Sequence, residues 1–280
     1  MFSRPHWSFS SINQYLRCPL QFYFQRVLKL PQGPTSSNLV LGSAVHSALA
    51  EYHQSIQDEN PASPDHIRKT FLDSWGSREQ GEEIEFSKGA TRENCIAQGL
   101  GLMDLYLQEP PPTNIVEVER RVLVPLQNSE GEYLETPLVA VADLVTRNED
   151  VLRINEFKTA GRAYSKFEVE TSLQATCYVN AAVQLYDEMA AVQFIVLVKT
   201  KTPKVQRLNT SRTETDLGRL GDLVQTVDRA VKAEVFYPVE SPLNCSNCPF
   251  RQPCREWGTS SMKATVPKAE IDERCEVVAC

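Results

Sequence analysis

Two apolar runs dominate the middle of the chain, Leu138–Val145 and Val151–Lys158, with the turn signal Asn148-Glu149-Asp150 between them. A two-residue loop at Glu149-Asp150 fixes the register of the resulting hairpin and sets Asp143 directly opposite Glu156. Opposed residues share a face, with Cβ atoms about 5 Å apart. Lys158, two residues beyond Glu156, projects to that face as well. The pattern therefore predicts two carboxylates and one ammonium together in strands that are otherwise apolar, and a slip of one residue would scatter them. Two acids so close repel and call for a cation, and hard oxygen ligands suit Mg²⁺ or Mn²⁺. Such an ion neutralises a scissile phosphate and lowers the pKa of a bound water. A lysine beside it positions or helps deprotonate that water and stabilises pentavalent charge. The competing reading is a plain salt bridge on an exposed sheet face; the apolar flanks Val139-Ala140-Val141-Ala142 and Val151-Leu152 argue against it.

The rest of the chain frames this hairpin. Ser10-Ser11 cap a helix expected to reach about Leu28, broken near Cys18 by Pro19. A second helix is expected from Ser43 to Gln57, with Val45, Leu49 and Tyr52 at helical spacing, and further helices over about 65–76 and 91–108. Pro110-Pro111-Pro112 close this helical half. Strands follow at Ile115–Glu119 and Val122–Leu126, then the hairpin, then a helix over about 171–188. Val192–Lys199 and Val205–Leu208 read as strands, and a long helix covers about 214–235. The order predicts a mixed α/β (α+β) core: a sheet flanked by helices, with an N-terminal helical region and a C-terminal Cys-rich segment.

Composition narrows the function. The 280 residues carry 29 Lys+Arg against 36 Asp+Glu, a net charge of −7, with 41% hydrophobic and 23% charged residues, which excludes a wholly disordered chain. The net charge argues against a general nucleic-acid binder, but its distribution does not: residues 1–50 hold no acid and carry Arg4, Arg17, Arg26 and Lys29. Val192–Thr213 is also acid-free, with Lys199, Lys201, Lys204, Arg207 and Arg212. A local basic groove on an acidic body fits this asymmetry, as does simple clustering on solvated faces. Aromatics in the N-terminal segment (Trp7, Phe9, Tyr15, Phe22, Tyr23, Phe24) offer stacking surfaces, although their helical spacing assigns most of them to the core. No uncharged run approaches the roughly 20 residues of a membrane span, and Met1–Trp7 lacks the apolar core of a signal peptide, so the expectation is a cytoplasmic protein with no membrane partner.

Eight cysteines at this length, without a secretion signal, point to metal or cluster ligation rather than disulfides. Cys245-x-x-Cys248-x5-Cys254 is a compact three-ligand array stiffened by Pro249 and Pro253. Cys18, itself followed by proline, or Cys275 supplies the fourth ligand. Zinc is the general alternative, although structural zinc usually uses two paired knuckles. Cys95, Cys177 and Cys280 read as non-ligating, with Cys177 in an apolar helix as core.

Ala142-Asp143-Leu144-Val145 followed by Asn155-Glu156-Phe157-Lys158-Thr159 resembles the metal-binding core of the PD-(D/E)XK nuclease superfamily. Leu41-Gly42-Ser43-Ala44-Val45-His46 resembles the upstream motif of its RecB-type branch, and Gln174-Ala175-Thr176-Cys177-Tyr178 resembles the downstream Gln-x-x-x-Tyr motif. The departure is alanine instead of proline before Asp143. The cysteine pattern resembles the iron–sulfur nucleases of that branch, among them CRISPR-associated exonucleases and the nuclease domain of AddB. The resemblance implies a restriction-endonuclease-like core sheet. It implies Asp143, Glu156 and Lys158 as catalytic residues, and His46, Asp143, Glu156 and the Phe157 carbonyl as ligands of Mg²⁺ or Mn²⁺. It also implies Gln174 and Tyr178 as DNA-contacting or accessory residues, and Cys18, Cys245, Cys248 and Cys254 as ligands of a 4Fe–4S cluster. Glu119, on the strand before the hairpin, is a candidate helper outside that set. The expected activity is a DNA exonuclease on single-stranded or frayed ends, in repair, recombination or CRISPR adaptation, leaving 5′-phosphates and 3′-hydroxyls. No phosphate-binding loop is present, so any helicase would be a separate partner, as would CRISPR adaptation proteins. The alternatives are a non-catalytic DNA-binding iron–sulfur subunit and a zinc-stabilised interaction protein. The expected organisation is one nuclease domain over 1–258 (helical part 8–110, catalytic core 113–210, C-terminal helix and Cys-rich segment 212–258) with a polar tail over 259–280.

Overall fold

The computed structural model describes residues 5–258, so the tail expected over 259–280, with Cys275 and Cys280, lies outside the described residues. The chain starts with a short strand β1 (Trp7–Ser8) and helix α1 (Phe9–Arg17), whose N-terminus is closed by a capping box between Ser8 and Ser11. Pro19 ends that helix as expected: α2 (Pro19–Phe22) restarts with proline at its first turn, and a π-helical turn follows over Tyr23–Val27. After β2 (Thr35–Ser36) comes α3 (Ser37–Gln57), six residues longer at its start than the sequence predicts because Ser36, not Gly42-Ser43, caps it. The helical half continues with α4 (Pro64–Gly81), β3 (Ile84–Glu85) and α5 (Arg92–Leu107).

The sheet is built from β4 (Ile115–Val124), β5 (Leu138–Asn148), β6 (Val151–Ala160), β7 (Ala191–Val198) and β8 (Lys204–Thr210), with β1 added at the start of β5. Its order is β1-β5-β6-β7-β8, and β4 pairs with β5 on the latter's other edge. The β6–β7 pair is parallel, whereas β4–β5, β5–β6 and β7–β8 are antiparallel. Helices α6 (Lys166–Glu170) and α7 (Leu173–Tyr186) make the β6–β7 crossover, where the sequence reads as one helix. The chain closes with α8 (Glu214–Lys232), α9 (Pro242–Cys245) and α10 (Arg251–Glu256).

Two cores lie on the two faces of this sheet. Val145, Ile154, Phe194 and Val196 pack with α1, α7 and α8, while Leu144, Phe157, Ile195 and Leu197 pack with α3, α4 and α5. Trp7, Tyr15, Phe22 and Phe24 are buried, so these aromatics serve the core rather than a ligand. No helix of the described residues is long and apolar enough to cross a membrane.

The hairpin register agrees with the expectation from the turn to Leu144–Asn155, where the ladder ends one pair short of the expected Asp143–Glu156. Asn148 pairs with Val151 and Leu144 with Asn155, and both Glu149 and Asp150 take the positive φ that a tight two-residue turn needs. The two strands expected at Ile115–Glu119 and Val122–Leu126 are instead the single β4, which changes phase within itself. Val118 packs on the α3–α5 side and Val122 on the opposite side, although an even spacing should keep them together. Two local features fall in this stretch: the ladder to β5 shifts register between Ile115 and Glu117, and Glu119 takes a left-handed φ of 49°.

Close helix–loop packing gives a test of this architecture. Gly221 of α8 lies so near the loop after β4 that an added Cβ would sit 1.9 Å from the Gln127 carbonyl oxygen. Gly221→Ala is expected to destabilise the protein by about 2–3 kcal/mol through overpacking, read as a lowered urea midpoint with an unchanged slope.

Candidate active site

The β5–β6 ladder runs as far as Leu144 and Asn155. Just beyond, the Phe157 N–H donates to Asp143 Oδ2 (2.7 Å). A side-chain carboxylate thus takes an amide of the neighbouring strand, and it holds Asp143 buried in the sheet with one oxygen left over. That oxygen, Oδ1, faces His46 Nδ1 at 3.3 Å. His46 arrives from α3, which lies close against the end of β6: a Cβ on Gly42 would meet Thr159 Oγ1 at 3.3 Å.

Glu156 is buried on the α7 side and surrounded by donors. Its Oε1 accepts from Lys158 Nζ (2.5 Å) and Gln174 Nε2 (2.8 Å), and its Oε2 accepts from the Tyr178 hydroxyl. Gln174 and Tyr178, one helical turn apart, are joined by a further 2.8 Å hydrogen bond. The start of α7 is anchored by Arg212, which donates to Thr176 Oγ1 and to the Ser172 carbonyl, both at 2.8 Å. Phe157 turns its ring to the other face, stacked on His53 at 5.2 Å.

The electrostatics follow from this packing. Burial and the charge of Asp143 push Glu156 up to about 7 against the pull of Lys158 and Tyr178. Burial lowers His46, but its hydrogen bond to Asp143 and the charges of Asp143 and Glu156 outweigh that and raise it. Burial likewise lowers Lys158, and Glu156 overrides it, so the ammonium is held charged. Burial, with the Glu156 and Asp143 charges, raises Tyr178 far enough that its phenol stays a proton donor.

Ligand atoms of His46, Glu119 and Asp143 lie within 4.8 Å of one another. Atoms bound to one Mg²⁺ or Mn²⁺ at about 2.0–2.2 Å span about that much, so the donor set fits a divalent cation. Glu119 belongs to this group because the β4–β5 register, unbroken between the pairs Val118–Leu144 and Arg120–Ala142, sets it opposite Asp143. Burial and the Asp143 charge raise its carboxyl. Period-two reading of the strand does not reveal this placement. The only signal was an acid within a β-branched run.

A family model for PD-(D/E)XK nucleases matches residues 6–255. The chain belongs to the PD-(D/E)XK nuclease superfamily. Its members use divalent metals, and the acidic cluster of this nuclease is where one fits. The nuclease is also similar to the crystal structure of a candidate exonuclease from Eubacterium rectale. The TM-score is 0.54, at 14% identity over 93% of both chains, a likeness of fold. The protein SSO0001 aligns over 82% of this chain and 92% of its own at 13% identity, and its TM-score of 0.30 carries no argument. No curated protein matches the chain.

A second cluster lies away from the sheet. Cys18, at the α1–α2 junction, and Cys245, Cys248 and Cys254 line one cavity of about 190 Å³. Leu20, Phe24 and Phe250 form a small core beside it, and the Val239 N–H points at Cys18 Sγ (3.5 Å). Burial raises the Cys248 and Cys254 thiols, and the neighbouring cysteines add to the rise. All six described cysteines are free, and Cys177 is core, its thiol pushed up to about 12 by burial.

The raised Glu156 carboxyl has a consequence for stability. With a folded pKa of about 7 against an ordinary 4.5, the folded state keeps a proton that the unfolded chain has released. That contribution is complete below about pH 4.5 and is lost as pH rises through 7. Denaturant unfolding of metal-free protein between pH 4.5 and 7.5 is expected to show stability falling with pH, and Glu156→Gln is expected to flatten the slope.

Proposed function

We propose that this nuclease is a metal-dependent DNA exonuclease of the RecB-type iron–sulfur branch, acting on single-stranded or frayed ends. The observation that carries the reading is the convergence of Asp143, His46 and the donor-bound Glu156–Lys158 pair at one end of the β5–β6 ladder. His46 Nδ1 and the Asp143 carboxylate, with Glu156 and the Phe157 carbonyl, are the proposed metal ligands. Glu156 Oε1 already accepts from two donors, so Oε2, which accepts only from Tyr178, is the Glu156 oxygen with a lone pair left for a metal. A bound Mg²⁺ or Mn²⁺ supplies charge neutralisation at the scissile phosphate and an acidified water.

The residues of the chain do the rest. Lys158 is held protonated, so it acts as a cation and hydrogen-bond donor toward the charge that builds on the phosphate, not as the base. Gln174 and Tyr178 fix the rotamer of Glu156 and with it the place of Lys158; their part in DNA contact is indirect in this reading. The products are 5′-phosphate and 3′-hydroxyl ends. The setting is DNA repair, recombination or CRISPR adaptation, in the cytoplasm, with any helicase or adaptation protein as a separate partner.

The four cysteines are proposed to hold a 4Fe–4S cluster. Supporting this, they line a common cavity several times the ~30 Å³ share of one water, more room than a lone ion needs. The cluster is a staple: it joins the first helices to the segment after α8 across the whole fold.

Two measurements test the reading. With end-labelled single strands and Mg²⁺ or Mn²⁺, Lys158→Ala is expected to bind DNA but to cleave at least about a hundredfold more slowly. Equal cutting would remove Lys158 from the chemistry, and binding without cutting by the unaltered protein would favour a non-catalytic DNA-binding subunit. Anaerobically purified protein is expected to contain about four iron and four sulfide per chain. Cys248→Ser is expected to lose both, along with much of its solubility; stoichiometric zinc in place of iron would reverse the assignment.

A further inference from the structure

The acidic centre divides at Asp143 into two unlike halves. On the Glu156 side every carboxylate oxygen already accepts from a protein donor: Lys158, Gln174 or Tyr178. On the other side stand Glu119 and His46, with the leftover oxygen of Asp143. Among the described residues no lysine or arginine forms an ion pair with Glu119, His46 or Asp143, although the Lys158 charge is felt by His46 and Asp143. Lys158 is paired with Glu156, and Arg120, next to Glu119 in sequence, turns to Glu117 at 3.4 Å. Among the described residues Glu119 makes no hydrogen bond or ion pair, yet its carboxylate lies within one ion's span of His46 and Asp143. In this half the His46–Asp143 contact is the one side-chain pairing among the described residues, and Glu119 is left as an acceptor with no donor, which suits a cation; Glu156 Oε1, with two donors, suits one less.

We propose that Glu119 is a direct ligand of the divalent cation, added to His46 and Asp143 on the side of the centre opposite the donors of Glu156. The assignment rests on the nuclease reading of this centre and adds a residue to it. The left-handed backbone at Glu119 belongs to the same picture: it occurs at the register position of Asp143, where the exposed Glu119 carboxylate stands beside Asp143 and His46.

Mn²⁺ binding tests this without reference to cleavage. The free-ion paramagnetic resonance signal is titrated with full-length protein, its thiol site intact. Unaltered protein is compared with Glu119→Gln, Glu119→Gly and Asp143→Asn. The unaltered protein is expected to bind Mn²⁺ and Asp143→Asn to lose it. Glu119→Gln is expected to bind at least about tenfold more weakly with an unchanged melting temperature. Glu119→Gly relieves the left-handed backbone, so it should melt no lower than the parent while binding as weakly as Glu119→Gln. The tenfold difference should persist at about 0.5 M salt, where attraction through solvent is screened. In cleavage assays Glu119→Gln should need correspondingly more Mn²⁺ and recover toward the parental rate at high metal. Parental affinity in both Glu119 variants, with binding lost in Asp143→Asn, would overturn the ligand assignment and leave the nuclease centre standing. So would a difference that vanishes at high salt. Absence of Mn²⁺ binding by the unaltered protein would overturn both readings.

Discussion

Beyond Leu144 and Asn155 the next inward amide of β6, that of Phe157, donates to the Asp143 carboxylate. A buried amide left unpaired would cost about 1–3 kcal/mol, so the aspartate is bound into the sheet by the same requirement that pairs every other strand amide. That bond sets the orientation of the carboxyl and aims its second oxygen at α3 and His46. The site is thus positioned by backbone hydrogen bonding, which is stiff, rather than by a loop. A residue there that could not accept would lose the chemistry and a sheet bond together.

Around this bond the two faces of the sheet divide the labour. The α7 face supplies donors to Glu156, whose burial would otherwise make its charge very costly. Lys158 answers that cost with a charge, and Tyr178 and Gln174 answer it with hydrogen bonds, so an ion pair survives where isolated ions do not. The α3 side supplies acceptors and stays partly open to solvent. This asymmetry has a physical use. The buried pair keeps the lysine charged, while the open side leaves the proposed cation a way in from solvent.

The sequence held much of this. The register of the β5–β6 hairpin was legible because a two-residue turn between apolar runs leaves one pairing, and that pairing predicts the meeting of Asp143, Glu156 and Lys158. The break at Pro19 was equally plain, since proline cannot continue a helix. Less visible were features set by tertiary contact. α3 starts at Ser37 because Ser36 reaches its first turn, a choice that a nearby Gly-Ser pair obscures. β4 reads as two strands because its apolar phase is irregular, with a register shift between Ile115 and Glu117 and a left-handed Glu119 within one strand. No propensity scale expects a glutamate at positive φ, so the third acid of the cluster could be named from sequence but not placed.

The thiol cavity and the carboxylate cluster are separate sites on one chain, linked by what the first does for the second. Val239 and Cys18 are in contact across 221 residues of sequence. In the chain-entropy picture a cross-link closing a loop of that length is worth about 5 kcal/mol, comparable to the whole net stability of many domains. Beside the four cysteines only Leu20, Phe24 and Phe250 form a local core, whereas α1 and α8 are joined further in by the main core, where Trp7, Ile12, Tyr15 and Phe22 meet Leu220, Val224 and Val227. The loop so closed contains every strand from β4 to β8 and all the residues of the cleft. A cluster of the kind proposed would fasten the α1–α2 junction to the segment after α8, adding to the core that already packs α1, α7 and α8 on the sheet face from which Gln174 and Tyr178 hold Glu156.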